Sequence, residues 1–254
     1  MLTRHRNQRQ QILLEYLATQ KSARIQDLEQ LLGVTGETVR RDLHALAQAG
    51  LIVRTYGGAQ AVSASPPGPG KSDRYWILAQ LASHLIQPGD AIGLDASGFA
   101  VALAAQIKLQ ELRDISVLTP SLAVAHELGG LPGVQLVVTG GTYRESLDSL
   151  TGLLAERAIE THRLQKAFLA CQGFTISEGP TEADDQAATL KGRMIRNANQ
   201  VILAVHSEDY GKHALVPICP LTAINWLICD VPLQSRDAET LQTLGIKLIA
   251  HPFG

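Results

Sequence analysis

Leu32-Gly33-Val34-Thr35-Gly36-Glu37-Thr38-Val39-Arg40-Arg41-Asp42-Leu43-His44-Ala45-Leu46 reads as the end of one helix, a short turn and a second helix. Gly33 stands where a helix ends on a left-handed residue, which glycine adopts without a Cβ penalty. Thr35 stands where an N-cap belongs. In the helix that follows, Val39, Leu43 and Leu46 fall in one narrow arc and turn inward. Glu37, Arg41 and His44 lie on the opposite side, flanked by Thr38 and Arg40.

Upstream, Ile12, Leu13, Tyr16 and Leu17 repeat at helical spacing, and so do Ile25, Leu28, Leu31 and Leu32. Downstream, Gly50 closes the third helix, and Leu51 to Gly58 reads as a strand running into a Gly57-Gly58 turn. Helix, helix, turn, helix, hairpin is the order of a winged helix-turn-helix. Adjacent arginines on an amphipathic helix are, taken alone, more often a solvated face. The preceding helix, the short turn and the glycine-bearing wing shift the balance to DNA. A major groove admits one helix, arginine pairs with guanine edges, and threonine hydroxyls and backbone N–H groups hold phosphates.

The 254 residues are 45% hydrophobic and 18% charged, which supplies a packed core and excludes overall disorder. No apolar run approaches the ~20 residues of a membrane span. Glu15 interrupts the apolar stretch after the basic start, so a signal peptide is not expected. The three cysteines, Cys171, Cys219 and Cys229, have no CxxC spacing and read as reduced packing residues in a cytoplasmic protein. The net charge of −2 hides a split. Ser63-Ala64-Ser65-Pro66-Pro67-Gly68-Pro69-Gly70 continues neither a helix nor a central strand. Residues 1–62 carry +3 and the rest of the chain −5. The expected organisation is a DNA-binding domain over 1–62, a linker over 63–72 and a larger domain over 73–254.

That larger domain alternates apolar runs with helical patterns. Strands are expected at 91–94, 116–119, 134–139, 167–171, 201–205, 225–229 and 247–250. Helices are expected at 75–86, 99–109, 120–129, 149–160, 183–198 and 235–243. Repeated βα units imply a doubly wound, mainly parallel α/β sheet with helices on both faces. Such sheets bind ligands beyond the C-terminal ends of their strands. Four loops there draw attention. Asp95-Ala96-Ser97-Gly98-Phe99 enters a helix, as does Thr119-Pro120-Ser121. Gly140-Gly141-Thr142-Tyr143-Arg144 offers close backbone approach and a cation, and Gly173 with Gly179-Pro180-Thr181-Glu182 leads toward Lys191. Glycine between strand and helix is more often turn geometry than phosphate binding, and neither a Walker nor a dinucleotide fingerprint is present.

Leu32-Gly33-Val34-Thr35, Thr38-Val39-Arg40-Arg41-Asp42-Leu43, Gly50-Leu51, Arg54 and Gly57-Gly58-Ala59 together resemble the DNA-binding signature of the DeoR family. These bacterial repressors join such a head to a sugar-phosphate sensor that resembles ribose-5-phosphate isomerase in fold. The resemblance implies Thr35, Thr38, Arg40 and Arg41 at the groove and Arg54 on the wing. Glu37, His44 and Tyr56 share those surfaces and complete the expected DNA-binding set. In the sensor, the family's Asp-Ser-Gly-Thr-Thr is Asp95-Ala96-Ser97-Gly98-Phe99 here, and its Asp-x-Ser-Lys-Phe-Gly is His206-Ser207-Glu208-Asp209-Tyr210-Gly211. Two hydroxyls are lost and a cation becomes Asp209, changes that weaken phosphate binding. Lys212 and His213 are the nearby cations that would compensate.

The expectation is a repressor of a carbohydrate-metabolism operon. It would bind double-stranded operator DNA as a homo-oligomer and respond to a phosphorylated sugar or related metabolite, without metal, cofactor or catalysis. The effector would meet Asp95, Ser97, Gly98, Phe99, Thr119, Ser121, Gly140, Gly141, Arg144, Gly173, Thr181, Glu182, Lys191, His206, Asp209 and Lys212. Two alternatives stay open. One is an isomerase-like enzyme drawing on Asp95, Glu182, Asp184 and His206. The other is a sensor that has lost its sugar phosphate.

Overall fold

A computed structural model describes residues 9–250, apart from 11, 15, 18, 19, 21, 49–51, 56 and 62–72. Gly50, Tyr56 and the whole expected linker over 63–72 therefore lie outside the described residues. Contacts divide the chain into two units, Met1–Gly68 and Pro69–Gly254.

In the first unit, helical residues within 9–20 (α1) precede β1 (Ser22–Arg24), α2 (Ile25–Leu32), α3 (Gly36–Gln48), β2 (Ile52–Thr55) and β3 (Gly58–Ala61). The core is Leu13, Leu17, Leu28, Val39, Leu43, Leu46, Ile52 and Ala59. Leu31, expected on the buried stripe of α2, is exposed, because only Leu28 there points squarely at the core. Gly33 ends α2 at φ 62°, its N–H donating to Glu29 O at 2.9 Å. β1 carries no legible sequence pattern, yet it pairs antiparallel with β3 and makes the wing a three-stranded sheet. That pairing explains Gly58: a Cβ there would drive into the Ala23 carbonyl of β1. Asp42 is buried on α3 and accepts from Arg9 Nε at 2.9 Å, tying α1 to α3.

In the second unit, a 3₁₀ turn (Asp73–Tyr75) leads into α4 (Trp76–Ser83). The seven-stranded sheet runs β15-β14-β12-β9-β4-β5-β6, with every neighbouring pair parallel. These strands are β4 (Ala91–Leu94), β5 (Ile115–Thr119), β6 (Val134–Val138), β9 (Leu164–Ala170), β12 (Ala198–Val205), β14 (Trp226–Cys229) and β15 (Lys247–Ala250). The chain starts at β4, steps outward through β5 and β6, then returns to β9 on the other side of β4 and winds away to β15. β4 and β9 thus flank the point where the winding reverses. Val201 to Val205 is buried throughout, as a strand covered on both faces requires. Leu169, Leu203 and Leu227 pack against α7 (Leu153–Thr161), α8 (Asp185–Asn197) and α9 (Ser235–Thr243) in one core. Across the sheet, α4 and α5 (Gly98–Leu109) touch β9, β12 and β14. α6 (Leu122–Leu128) packs on α5 and β6.

Two expectations are corrected. The helix expected over 149–160 begins only at Leu153, since Ser149–Thr151 forms strand β8, paired with β7 (Thr142–Arg144). The helix expected from Tyr75 to Ile86 is regular only over Trp76–Ser83. A further small sheet joins β10 (Gly173–Thr175), β11 (Gly179–Glu182) and β13 (Val216–Pro217). No helix among the described residues is long and apolar enough to cross a membrane.

Candidate functional site

The head presents α3. Val39, Leu43 and Leu46 are buried, while Thr35, Glu37, Arg40, Arg41 and His44 are exposed and Thr38 is half-buried. Thr35 precedes the helix, and its carbonyl takes the Val39 N–H at 3.1 Å. Its hydroxyl lies 3.2 Å from the Thr38 hydroxyl, so the two share one hydrogen bond on the outer face. Asp42 turns inward to Arg9, and neither Arg40 nor Arg41 forms an ion pair among the described residues. Two guanidinium groups are therefore presented without internal neutralisation. Arg54 stands in β2 with its side chain outside the described residues, as is all of Tyr56.

The second unit holds a cavity of about 200 Å³ beyond the C-terminal ends of β4, β5 and β9. The loop after β4 supplies Asp95, Ser97 and Gly98, and Pro120 follows β5. Cys171 and Gln172 follow β9, Glu182 ends β11, Lys191 rises from α8, and Tyr75, Ser146 and Ser149 close the remaining sides. The site thus sits at the reversal of winding, where adjacent loops diverge and leave a crevice.

Lys191 is its centre. The ammonium bonds Glu182, donates to Ala170 O at 2.8 Å and lies 3.4 Å from Asp95 Oδ2. Burial by itself would lower its pKa, but Asp95 and Glu182 outweigh that and raise it. Asp95 is fully engaged besides: Oδ2 accepts from Ala170 N at 3.1 Å, and Oδ1 accepts from Ser97 N at 3.0 Å and from the Ser97 hydroxyl. Ser97 Oγ in turn caps α5, accepting from Ala100 N at 3.2 Å. Burial pushes the Cys171 thiol well up, more than the nearby Lys191 draws it down, so it stays protonated.

Beside the cavity, Arg74 bonds Asp209, donates to Glu208 Oε2 at 3.1 Å and to Tyr75 Oη at 2.9 Å, and stacks 4.6 Å from the Tyr75 ring centroid. Burial raises the Tyr75 phenol to about 12 and raises Asp209 as well, Arg74 opposing both shifts. Tyr75 meets Phe99 and His206 edge-on at 6.5 and 6.0 Å. His206 Nδ1 accepts from Glu208 N at 3.1 Å, which leaves the proton on Nε2, 3.2 Å from Asp230 Oδ2.

Of the residues expected to meet an effector, Asp95, Ser97, Gly98, Glu182 and Lys191 line this one cavity. The others do not. Phe99 is fully buried, because its phase on α5 turns it into the core against Tyr75. Thr119 accepts from Ser121 N at 3.1 Å and Ser121 caps α6, so both are spent on the turn. Arg144 pairs with Asp184 at 3.2 Å and reaches Gln186, while Asp184 caps α8. Gly140 and Gly141 take positive φ angles in an exposed turn. Gly173 and Thr181 face one another in the β10–β11 hairpin, with Thr181 Oγ1 donating to Gly173 O at 3.1 Å. His206 and Asp209 hold their own partners outside the lining, Lys212 is exposed, and His213 pairs with Glu178 at 2.9 Å. The cation bonded to Asp209 is Arg74, 135 residues earlier, while Lys212 acts on it only through space. Local sequence carries no signal for Arg74, Tyr75, Cys171, Ser146 or Ser149, which distant elements bring together. No cluster of three metal-ligating side chains occurs among the described residues.

The DeoR-like helix-turn-helix domain matches residues 9–65, and the DeoR C terminal sensor domain matches residues 76–231. The chain is 32% identical over 252 residues to YulB, an uncharacterized HTH-type transcriptional regulator of Bacillus subtilis (strain 168), covering 96% of each chain. It is 27% identical to the lactose phosphotransferase system repressor of Lactococcus lactis subsp. lactis, covering 92% of this chain and 95% of that one. Among solved structures, ribose 5-phosphate isomerase A from Methanocaldococcus jannaschii matches with a TM-score of 0.41 at 15% identity, over 56% of this chain and 55% of that one.

Proposed function

The chain belongs to the DeoR family of helix-turn-helix transcriptional regulators, and from that premise we propose that it represses a carbohydrate-metabolism operon. The face of α3 that exposes Arg40, Arg41 and His44 beside the half-buried Thr38 carries the reading: it joins unneutralised arginines to a helix backed by a buried apolar stripe. It contacts a double-stranded operator in the cytoplasm as a homo-oligomer, with one head per half-site. The effector is a small carbohydrate, a phosphorylated sugar or a related metabolite, held at Asp95, Ser97, Glu182 and Lys191. Its occupancy shifts the population away from the DNA-competent arrangement. The lactose relative, itself named a repressor, supports both the sugar and the sign of control.

The chain is not an enzyme in this reading. Asp95 and Asp184, carboxylates that an isomerisation would draw on, are spent on Lys191, Ser97 and helix caps. A mobility-shift assay on DNA upstream of its own coding sequence, with and without a carbohydrate panel, tests the proposal. A retarded complex released by at least one carbohydrate is expected, with no isomerised product in the same tubes. Product formation, or no DNA complex at low salt, would count against it.

A further inference from the structure

Arg74 lies in the 3₁₀ turn Asp73–Tyr75, directly after the expected linker over 63–72. Its guanidinium reaches three groups at once. Nη1 donates to Glu208 Oε2 at 3.1 Å, while Nη2 bonds Asp209 and donates to Tyr75 Oη at 2.9 Å. Both acids sit in the segment that follows β12, and that segment is fixed without help from Arg74. Ser207 donates to Asp230, just past β14, from its N–H at 2.7 Å and from its hydroxyl at 3.0 Å. The Asp209 carbonyl accepts from Phe174 N at 3.0 Å, and Gly211 N donates to Phe174 O at 2.8 Å, which stitches the segment to β10. Asp209 is thus a post held by backbone bonds on both sides, its side chain only 12% exposed. Arg74, on a longer and more exposed side chain, is the partner able to leave.

The contact has the intermediate strength that a switchable element needs. The bond to the exposed Glu208 holds little, as solvent-facing ion pairs do. The bond to Asp209 holds more, because losing it strands a carboxylate that is mostly out of water. Tyr75 braces the pair, its ring 4.6 Å from the guanidinium and its phenol accepting from it. The same Tyr75 side chain walls the cavity, so the cavity and the ion pair share one residue. We propose that Arg74 is a positioning residue for operator binding. Its hold on Asp209 and Glu208 fixes the point at which the linker leaves the sensor, and the held form is the DNA-competent one. The proposal rests on the operator reading above and names the contact through which the sensor unit supports it.

The test measures the affinity of the full chain for DNA from upstream of its coding sequence, at fixed salt and without added ligand. Asp209→Asn decides the matter by sign. Removing an acid strengthens DNA binding if only overall charge counts. Loss of the Arg74 contact instead predicts binding weaker by about fivefold or more, since only the competent fraction binds. Arg74→Lys keeps the charge but not the planar fork, so a smaller loss is expected. Exchanging the charges, Arg74→Asp together with Asp209→Arg, is expected to recover most of the affinity that Asp209→Asn loses. Thermal unfolding of each variant accompanies the binding curves, and Arg74→Lys serves where a stronger change lowers Tm. Asp209→Asn binding as tightly as the unaltered chain, or more tightly, overturns this inference and leaves the operator reading standing. So does a folded exchange variant that recovers nothing. An unaltered chain that fails to bind the DNA overturns the operator reading itself.

Discussion

Lys191 joins β9, β11 and the loop after β4 through a single ammonium. Removing it leaves Asp95 and Glu182 buried with no counter-charge, a change that costs about 3–5 kcal/mol in comparable settings. Urea unfolding of Lys191→Met is therefore expected to show a loss of that size; a variant as stable as the parent would refute the role. The pH dependence follows from the direction of the shift. Burial lowers the Lys191 pKa and the two carboxylates more than restore it, so the folded value lies above the unfolded one. Its contribution is then fully present below the unfolded value of about 10.4 and is lost only as pH rises through the folded value.

At the scale of elements, the wing depends on how closely β3 passes β1. Gly58→Ala forces a methyl group against the Ala23 carbonyl, and backbone cannot yield as a flexible side chain would. A loss of about 1–3 kcal/mol in head stability is expected by thermal unfolding, with weaker DNA binding; an unchanged melting profile would remove the explanation for this glycine. This scale also shows what sequence can disclose. β4, β15 and α9 have the expected bounds because apolar runs and helical spacing mark them directly. β1, β7, β8, β10, β11 and β13 are two to four residues long, too short for a period to repeat. Their pairing is set by tertiary contact instead. The cavity divides the same way. Asp95, Ser97 and Gly98 lie in one loop after a strand, which the βα pattern points to. Tyr75 and Arg74 arrive from before the sheet, and the pairing of Arg74 with Asp209 spans 135 residues. Phe99 was expected at the ligand because it follows that loop, but helix phase turns it inward.

The whole molecule joins a basic head to an acidic sensor, and the average charge of −2 conceals both. The acidity of the sensor agrees with a cavity whose single ammonium is committed to protein carboxylates. Every proposed role of the chain depends on the head reading DNA through α3. Fluorescence anisotropy with DNA from upstream of the coding sequence, run across a salt series with the unaltered chain and with Arg41→Ala, tests that most directly. Binding should weaken steeply with salt, and Arg41→Ala should lose roughly tenfold or more in affinity at fixed salt, consistent with about 1–3 kcal/mol for one arginine contact. Arg41→Ala binding as tightly as the unaltered protein at every salt concentration would contradict it.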